Sequence, residues 1–250
     1  MIAASKLHRR VARTKAGRFL VEGPNLVEAA LRAGVVVELF VTESAAQRFD
    51  DLLARAGVPI YPVTDRAAKA LSDTVTPVGL VGVCAVDQPR LADVLAGEPT
   101  LVAVPVGISE PGNAGTLIRI ADAIGADAVV LAGHAVDSYN GKCLRASAGS
   151  IFTIPVLTDP DPASVVDALM SSGLQVLAAA VDGEVDLDEA LPVLTAPTAW
   201  LFGPEAHGLP SELAARATRR VRIPMRGGAE SLNVAAAAAI CLYQSARAQS

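Results

Sequence analysis

The chain has few of the residues from which metal, disulfide and membrane sites are built. Its three cysteines and three histidines are far apart and form no CxxC pair, so a zinc site has almost no support. No apolar run approaches the roughly 18 residues expected of a membrane span, and the charged N-terminus lacks the apolar core of a signal peptide. We therefore expect no metal, no membrane partner, a cytoplasmic location and ordinary buried thiols.

Two further absences narrow the protein class. No GxGxxG string occurs, so the glycine fingerprint of a Rossmann dinucleotide site is missing. Charged residues make up only 19% of the 250 residues against 52% hydrophobic ones, which excludes a wholly disordered chain. This length can bury a substantial core in one domain or two.

The net charge of −5 argues against nucleic-acid binding until its distribution is considered. Residues 1–21 form a basic arm of charge +6 without an acidic residue, so the other 229 residues carry −11. Five arginines form a second basic cluster over residues 216–226. Local patches rather than net charge attract phosphate. One basic run alone would be interpreted as ordinary solvated surface. With two such runs, RNA binding and a solvated surface without that role are about equally supported.

The pattern of strands and helices predicts two domains. Residues 1–88 form a small α/β unit, and residues 89–99 have the Pro/Gly composition of a linker. Residues 100–250 alternate short, continuously apolar strands with helices, and the final helix is predicted over residues 231–248. Such strands between helices indicate an α/β domain with a parallel sheet covered on both faces.

Three Gly- or Pro-containing segments concentrate polar residues at predicted strand ends: residues 113–119, 203–209 and 223–234. From the local sequence, Asn113 and Ser231 are good helix N-caps, and a capping role alone would account for each of them. Asn233 is a poor helix former beside the alanines that follow, which favours a polar role. His207 is chemically able to act as a base, although a loop histidine without such a role is the commoner case.

In this order, the three segments resemble the signature motifs of the SpoU/TrmH-type RNA 2′-O-ribose methyltransferases of the SPOUT superfamily. Residues 18–26, with the sequence RFLVEGPNL, are similar to the start of the RNA substrate-binding domain that precedes many of these enzymes. The resemblance implies a SPOUT domain from about residue 100 with a C-terminal trefoil knot. It also implies S-adenosylmethionine as cofactor, a homodimer with the active site at its interface, and ribosomal RNA as substrate.

The resemblance also assigns residues to roles. The implied catalytic residues are Asn113, Arg119, Glu205, Ser231 and Asn233. The implied cofactor-binding residues are Ala132, Gly133, Phe202, Gly203, Gly208, Ile223, Met225, Ser231 and Leu232. The expected RNA-binding residues are Lys6, Arg9, Arg10, Arg13, Lys15, Arg18 and Arg145.

Arg119 would act on the ribose 2′-hydroxyl, although arginine side chains keep their proton in proteins. Either its environment is unusual, or it orients the hydroxyl and stabilises charge while a phosphate or a water takes the proton. The second interpretation is slightly favoured. Asn113 and Ser231 would position Arg119 and the substrate phosphate, and Glu205 and Asn233 would hold the site together.

One residue departs from the family pattern. Pro204 stands where these enzymes commonly have a small polar residue, and proline has no N–H to donate. A non-catalytic RNA-binding protein on the same fold is therefore an alternative, as is transfer RNA as substrate. A nucleotide-dependent metabolic enzyme is a third, weakened by the missing fingerprint and by the basic arm.

Overall fold

A computed structural model describes residues 2–204 and 206–250, which divide into two units. Unit 1 contains residues 1–87 and 139–153, and unit 2 contains residues 88–138 and 154–250. Each unit has its own β-sheet. No helix in the described ranges is both long and apolar enough to cross a membrane.

Unit 1 is built on a four-stranded mixed sheet. Its strands are β1 (Arg18–Glu22), β2 (Val36–Val41), β3 (Ile60–Pro62) and β4 (Leu80–Ala85). The spatial order is β1-β4-β2-β3, in which β4 runs antiparallel to both neighbours and β3 pairs parallel with β2. The α-helices of its first 87 residues are α1 (Ile2–Ser5), α2 (Arg10–Ala16), α3 (Pro24–Arg32), α4 (Glu43–Arg48), α5 (Asp50–Ala54) and α6 (Asp65–Leu71).

Unit 2 is built on a seven-stranded sheet in which every neighbouring pair is parallel. Its strands are β5 (Leu101–Pro105), β6 (Ala128–Ala132), β7 (Val156–Asp159), β8 (Gln175–Ala179), β9 (Val185–Asp186), β10 (Thr198–Phe202) and β11 (Arg219–Arg222). They lie in the order β7-β6-β5-β10-β8-β11-β9. Strands β5, β6 and β10 are buried along their whole length, as expected of a parallel sheet covered on both faces. The predicted parallel α/β fold is confirmed, while the knot stays a prediction.

The remaining helices complete both units. They are α7 (Leu91–Ala96), α8 (Pro111–Ile124), α9 (Gly141–Ser147), α10 (Pro162–Ser171), α11 (Leu191–Leu194), α12 (Ser211–Arg216) and α13 (Val234–Gln249), with 3-10 turns at Lys6–His8, Ser150–Phe152 and Leu187–Glu189. Helix α13 packs against α8 and against strand β10. The Trp200 Nε1 donates a 2.8 Å hydrogen bond to the Ser245 Oγ, and both residues are fully buried. This bond fixes the position of α13 on the central strand.

The division of the chain differs from the predicted one in two places. The segment expected to be a linker, residues 89–99, contains helix α7, whose leucines pack on the core of unit 2. Residues 139–153 belong to unit 1, although they follow strands of unit 2 in sequence. Their aromatic rings explain this: Tyr139 and Phe152 contact the buried Phe19, with ring centroids 4.4 and 6.2 Å away.

Candidate functional site

A cleft of about 570 Å³ opens at the carboxyl ends of three neighbouring strands of unit 2, β10, β8 and β11. Ligands of open parallel sheets bind at this edge. The loop after β10 supplies Gly203, Pro204, His207 and Gly208; the loop after β8 supplies residues 180–182; and the segment after β11 supplies Ile223, Met225, Ser231 and Leu232. All three loops follow predicted strands, and two of them are the predicted motifs.

The loop after β10 is a tight turn that requires glycine at its first position. A Cβ on Gly203 would lie 2.4 Å from the Gly208 carbonyl carbon and 2.5 Å from the Leu209 nitrogen. The Pro204 carbonyl accepts hydrogen bonds from the backbone N–H groups of His207 and Gly208, at 3.3 and 2.8 Å. Pro204 therefore shapes the cleft wall through its carbonyl, a contact that does not need the missing N–H. The predicted catalytic residue Glu205 lies outside the described residues.

Asn233, and not Ser231, caps the last helix. The helix begins at Val234, and the Asn233 Oδ1 accepts hydrogen bonds from the Ala235 and Ala236 N–H groups at 3.0 and 3.4 Å. The expectation that Ser231 caps a helix from residue 231 is wrong. A side-chain carbonyl one residue before the helix reaches these N–H groups, which leaves Ser231 in the loop, exposed and lining the cleft.

The N-terminus of α8 corrects the second cap prediction. The helix begins at Pro111, and the Glu110 Oε2 accepts a 2.9 Å hydrogen bond from the Asn113 N–H, so Glu110 is the N-cap. Proline suits the first helical position because its missing N–H has no partner to lose there. Asn113 lies inside the first turn, and its side-chain Oδ1 accepts a 3.0 Å hydrogen bond from the Asn233 Nδ2. Two predicted catalytic residues 120 positions apart are thereby brought together.

Arg119 lies apart from this cleft. It is exposed on α8 beside the buried Ile118 and is not among the residues that line the cleft. Within residues 2–204 and 206–250 no hydrogen-bonding or ion-pair partner holds its guanidinium. Its side chain is therefore available to a ligand or to another molecule.

The predicted cofactor residues divide into two groups. Seven of them line the cleft: Phe202, Gly203, Gly208, Ile223, Met225, Ser231 and Leu232. Ala132 and Gly133 are not among the described residues of its lining; Ala132 ends β6 and Gly133 follows it, and β5 separates this strand from β10. Gly133 has a φ of +73°, and a Cβ there would lie 3.2 Å from the Pro162 Cγ. The backbone conformation and this close approach explain why glycine occupies the position.

One side of the cleft is formed by residues that were not among the predicted site residues. Residues 179–182, at and after the end of β8, and Arg220 on β11 line it. The sequence carries a signal there, because residues 176–181 are a short apolar run of the kind that predicts a buried strand, and the polar turn residues Asp182 and Gly183 follow. What the sequence could not give was the strand order, which places β8 directly beside β10.

Most arginines of the second basic cluster are ion-paired. Arg216 pairs with Asp167 at 2.7 Å, and Arg220 pairs with Asp182 at 2.9 Å and Glu184 at 3.0 Å. Arg222 pairs with Asp186 through two hydrogen bonds. The partners lie 36 to 49 residues away in sequence, so these pairs could not be predicted from the sequence. Only Arg219 and Arg226 of this cluster have no ion-pair partner within the described part of the chain.

These ion pairs alter the acidity of the carboxylates. The Arg220 backbone N–H, which donates to Glu184, is the main reason why the pKa of that carboxyl is below its usual value. Hydrogen bonds from the Arg222 guanidinium lower the pKa of Asp186 in the same way. Both carboxylates therefore stay ionised to a lower pH than usual, which extends the pairing of these two arginines to more acidic pH.

The basic arm is largely accessible. Lys6, Arg9, Arg10, Lys15 and Arg18 are exposed. Arg13 is the exception, because it is only 6% exposed and its Nη1 donates to the carbonyls of Leu7 and His8 at 2.8 and 2.9 Å. Arg13, predicted to bind RNA, is therefore held inside unit 1 and is not part of the exposed face of the arm. Arg145, also expected to bind RNA, is ion-paired with Asp73.

The cysteines have the burial expected of them. All three thiols are free and buried, and burial raises the pKa of Cys84 to about 12 and raises the pKa of Cys241 as well. Over the described residues, no group of three or more His, Cys, Asp and Glu side chains is placed to hold a metal ion.

Comparisons with known proteins agree with this geometry. The model of the "SpoU rRNA Methylase family" matches residues 100–243, and that of the "MRM3-like substrate binding domain" matches residues 3–82. The chain is 38% identical to the 23S rRNA (guanosine(2553)-2′-O)-methyltransferase RlmP of Bacillus subtilis, over 95% of this chain and 92% of the relative. It is 32% identical to the 23S rRNA (uridine(2479)-2′-O)-methyltransferase of Streptomyces viridochromogenes, over 96% of this chain and 86% of the relative.

Solved structures give the same result. The SpoU methyltransferase AviRb from Streptomyces viridochromogenes, in complex with AdoMet, is 30% identical to this chain, with a TM-score of 0.86 over 98% of this chain and 95% of that one. The AdoMet-bound rRNA methyltransferase from Sinorhizobium meliloti is 29% identical, with a TM-score of 0.85 over 98% and 93%. The match over residues 100–243 covers more than half of the chain, which therefore belongs to the SpoU rRNA methylase family.

Proposed function

We propose that this protein transfers a methyl group from S-adenosylmethionine to the 2′-hydroxyl of a ribose in ribosomal RNA. Membership of the SpoU rRNA methylase family supports the reaction class, and two relatives named for 23S rRNA support the substrate class. The structural observation that carries the proposal is the cleft at the carboxyl end of β10, lined by Leu232 and Val234 on either side of Asn233, which bonds to Asn113. The rRNA methyltransferases to which this chain is related support a cytoplasmic location for it.

The cleft fits S-adenosylmethionine in size and chemistry. Its volume of about 570 Å³ lies within the roughly 300–1,000 Å³ that is usual for small-molecule sites. Apolar side chains of Phe202, Leu209 and Ile223 would contact the adenine, and Ser231 and Asp182 would bind polar groups of the cofactor. When bound, the sulfonium cofactor supplies an electrophilic methyl group.

The residues around the cleft would align the ribose and stabilise charge. Arg119 would donate hydrogen bonds to the 2′-oxygen or to the adjacent phosphate, and a phosphate or a water would take the hydroxyl proton, because a guanidinium is a donor only. Ser231, exposed at the cleft, would bind the RNA phosphate. The Asn113–Asn233 bond would keep the ends of α8 and α13 together, and alignment of the reacting atoms would supply much of the rate.

We propose further that two copies of the chain form the active site together. Arg119 does not line the cleft of its own chain and has no partner among the described residues, which suits an arginine that reaches the cleft of a second copy. Helices α8 and α13, which pack on each other, also expose Ile240 and Tyr243 on α13. These apolar side chains would be covered in a homodimer.

Two experiments test this function. In the first, ribosomal RNA from cells lacking the protein should accept a labelled methyl group from S-adenosylmethionine at one 2′-oxygen, mapped by resistance to alkaline cleavage. Transfer RNA is tested in parallel as the alternative substrate.

In the second experiment, the Arg119→Ala variant is mixed with the Gly203→Val variant, in which a larger side chain blocks the turn at the cleft. Each variant alone should be inactive and the mixed dimer active. Lack of activity in the mixture, with dimers present by light scattering, would place Arg119 in its own subunit's site.

A further inference from the structure

Unit 1 holds a second cavity, of about 180 Å³, whose lining includes residues of the 18–26 segment. Its lining includes five leucines: Leu7, Leu20, Leu26, Leu71 and Leu144. The lining also includes charged and polar residues from α2, β1, the segment after α6, and α9. This volume is below the roughly 300 Å³ at which whole small-molecule sites begin, so the cavity suits one flat heterocycle.

Glu22, at the end of β1, supplies acceptors to this cavity. Its carboxylate accepts hydrogen bonds from the Ser72 Oγ at 2.6 and 2.7 Å and from the Thr74 Oγ1 at 2.9 Å. Each hydroxyl has one proton, so at most two of about four acceptor positions of the carboxylate are used. No Lys, Arg or His forms an ion pair with Glu22 among residues 2–204 and 206–250. The half-buried carboxylate can therefore accept two more N–H groups.

Guanidinium groups line the same cavity. Arg13 is held in place by the carbonyls of Leu7 and His8, and it is almost fully buried. Arg145 lines the cavity from α9 and is ion-paired with Asp73, which also lines it. A ligand that complements this wall needs two adjacent N–H donors for Glu22, acceptors on another edge for the arginines, and a flat apolar body for the leucines.

Among the RNA bases, guanine has this arrangement. Its N1–H and N2–H are adjacent donors, and its O6 and N7 are the acceptors that arginine reads most often. Adenine and cytosine each place an acceptor nitrogen beside their amine, which a carboxylate would repel. Uracil has one N–H between two carbonyls. The Glu22 carboxylate therefore distinguishes guanine from the other three bases.

We infer that this cavity binds one unpaired guanine of the RNA substrate, with Glu22 accepting from N1–H and N2–H. Proteins read single-stranded RNA bases by their Watson–Crick edges in this manner. The inference rests on the proposed function for RNA as the substrate. It adds a specificity site in unit 1, formed in part by residues 139–145 that follow the strands of unit 2 in sequence.

The first test uses nucleotides alone. Guanosine and inosine monophosphates are compared by saturation-transfer NMR on the full chain, with S-adenosylhomocysteine present to fill the cleft of unit 2. Guanosine monophosphate should give a signal that weakens with inosine monophosphate, which lacks the N2 amine. The signal should be lost in Glu22→Gln and kept in Glu28→Gln, a matched change at an exposed glutamate on α3. Equal signals from both nucleotides, or a signal unchanged in Glu22→Gln, would overturn the inference.

The second test uses ribosomal RNA and separates this inference from the proposed function. Glu22→Gln should raise the KM for RNA about 10- to 100-fold, the effect of losing one paired base contact, with kcat and cofactor affinity unchanged. Glu28→Gln should change none of the three. If the wild type methylates RNA and Glu22→Gln has an unchanged KM, the guanine site is overturned alone. If the wild type methylates no RNA, the proposed function fails, and the nucleotide test still decides the cavity.

Discussion

The two basic regions of the chain look alike in sequence and differ in structure. The basic arm, residues 1–21, exposes five of its six cations. The second basic cluster, residues 216–226, has three of its five arginines in ion pairs with acidic residues. The difference lies in the surroundings: the arm has no acidic residue in its own sequence, whereas β11 runs beside β9 and the carboxylates of residues 182–186. A run of arginines thus predicts positive potential only where its neighbours in space are known.

Arg119 extends this comparison to a single arginine without a partner. Because it is exposed and unpaired in the described structure, we expect it to serve catalysis, and Arg119→Ala should lower kcat about 100- to 1,000-fold, the usual cost of losing a transition-state donor. Cofactor affinity by calorimetry should be unchanged, because Arg119 does not line the cleft. Arg216→Ala, which removes a paired arginine, is the control. Full activity of Arg119→Ala would remove this residue from the mechanism.

The arm and the cluster can be compared directly by RNA binding. Replacing Lys6, Arg9, Arg10 and Lys15 by Gln should weaken binding about 10- to 100-fold and lower the slope of log K against log salt by about 3, at roughly 0.7 per contact. Replacing Arg216, Arg220 and Arg222 by Gln should change the slope far less. Equal slopes for the two variants, measured by filter binding at several salt concentrations, would contradict the distinction between exposed and paired cations.

The capping residues offer a similar comparison at the level of stability. Asn233→Ala removes the cap of α13 and the bond to Asn113, so it should lower the free energy of unfolding by about 1–2 kcal/mol. Ser231→Ala should lower it by no more than roughly 0.5 kcal/mol, since exposed residues without such contacts have small effects. Urea unfolding of both variants measures the difference. A larger loss for Ser231→Ala would restore Ser231 as the cap.

In unit 2, the positions of strands along the chain could be predicted from the sequence better than the contacts that those strands make in the fold. Strands β6 and β10 coincide with short, continuously apolar runs of the kind predicted for residues 100–250, because a buried parallel strand needs such residues. The two caps were assigned wrongly, since Asn, Ser and Glu can all accept from the first turn and local sequence does not decide among them. The ion pairs, the side of the cleft after β8 and the attachment of residues 139–153 to unit 1 depend on strand order and on contacts distant in sequence, which one chain without its fold does not reveal.

The weakest expected effect concerns the Arg222–Asp186 pair and depends on pH. Hydrogen bonds from Arg222 hold the pKa of Asp186 below its usual value, so the folded state gains stability from this carboxylate above its unfolded pKa, about 3.9. That gain is lost as the pH falls through the lower, folded pKa. Arg222→Gln should therefore be slightly less stable than the wild type at pH 7, and the two should converge as the pH falls below 3.9. The effect is small because exposed pairs are screened by solvent. A stability difference that is the same at pH 7 and at the acid end, by urea unfolding, would show that Arg222 acts by packing and not by charge.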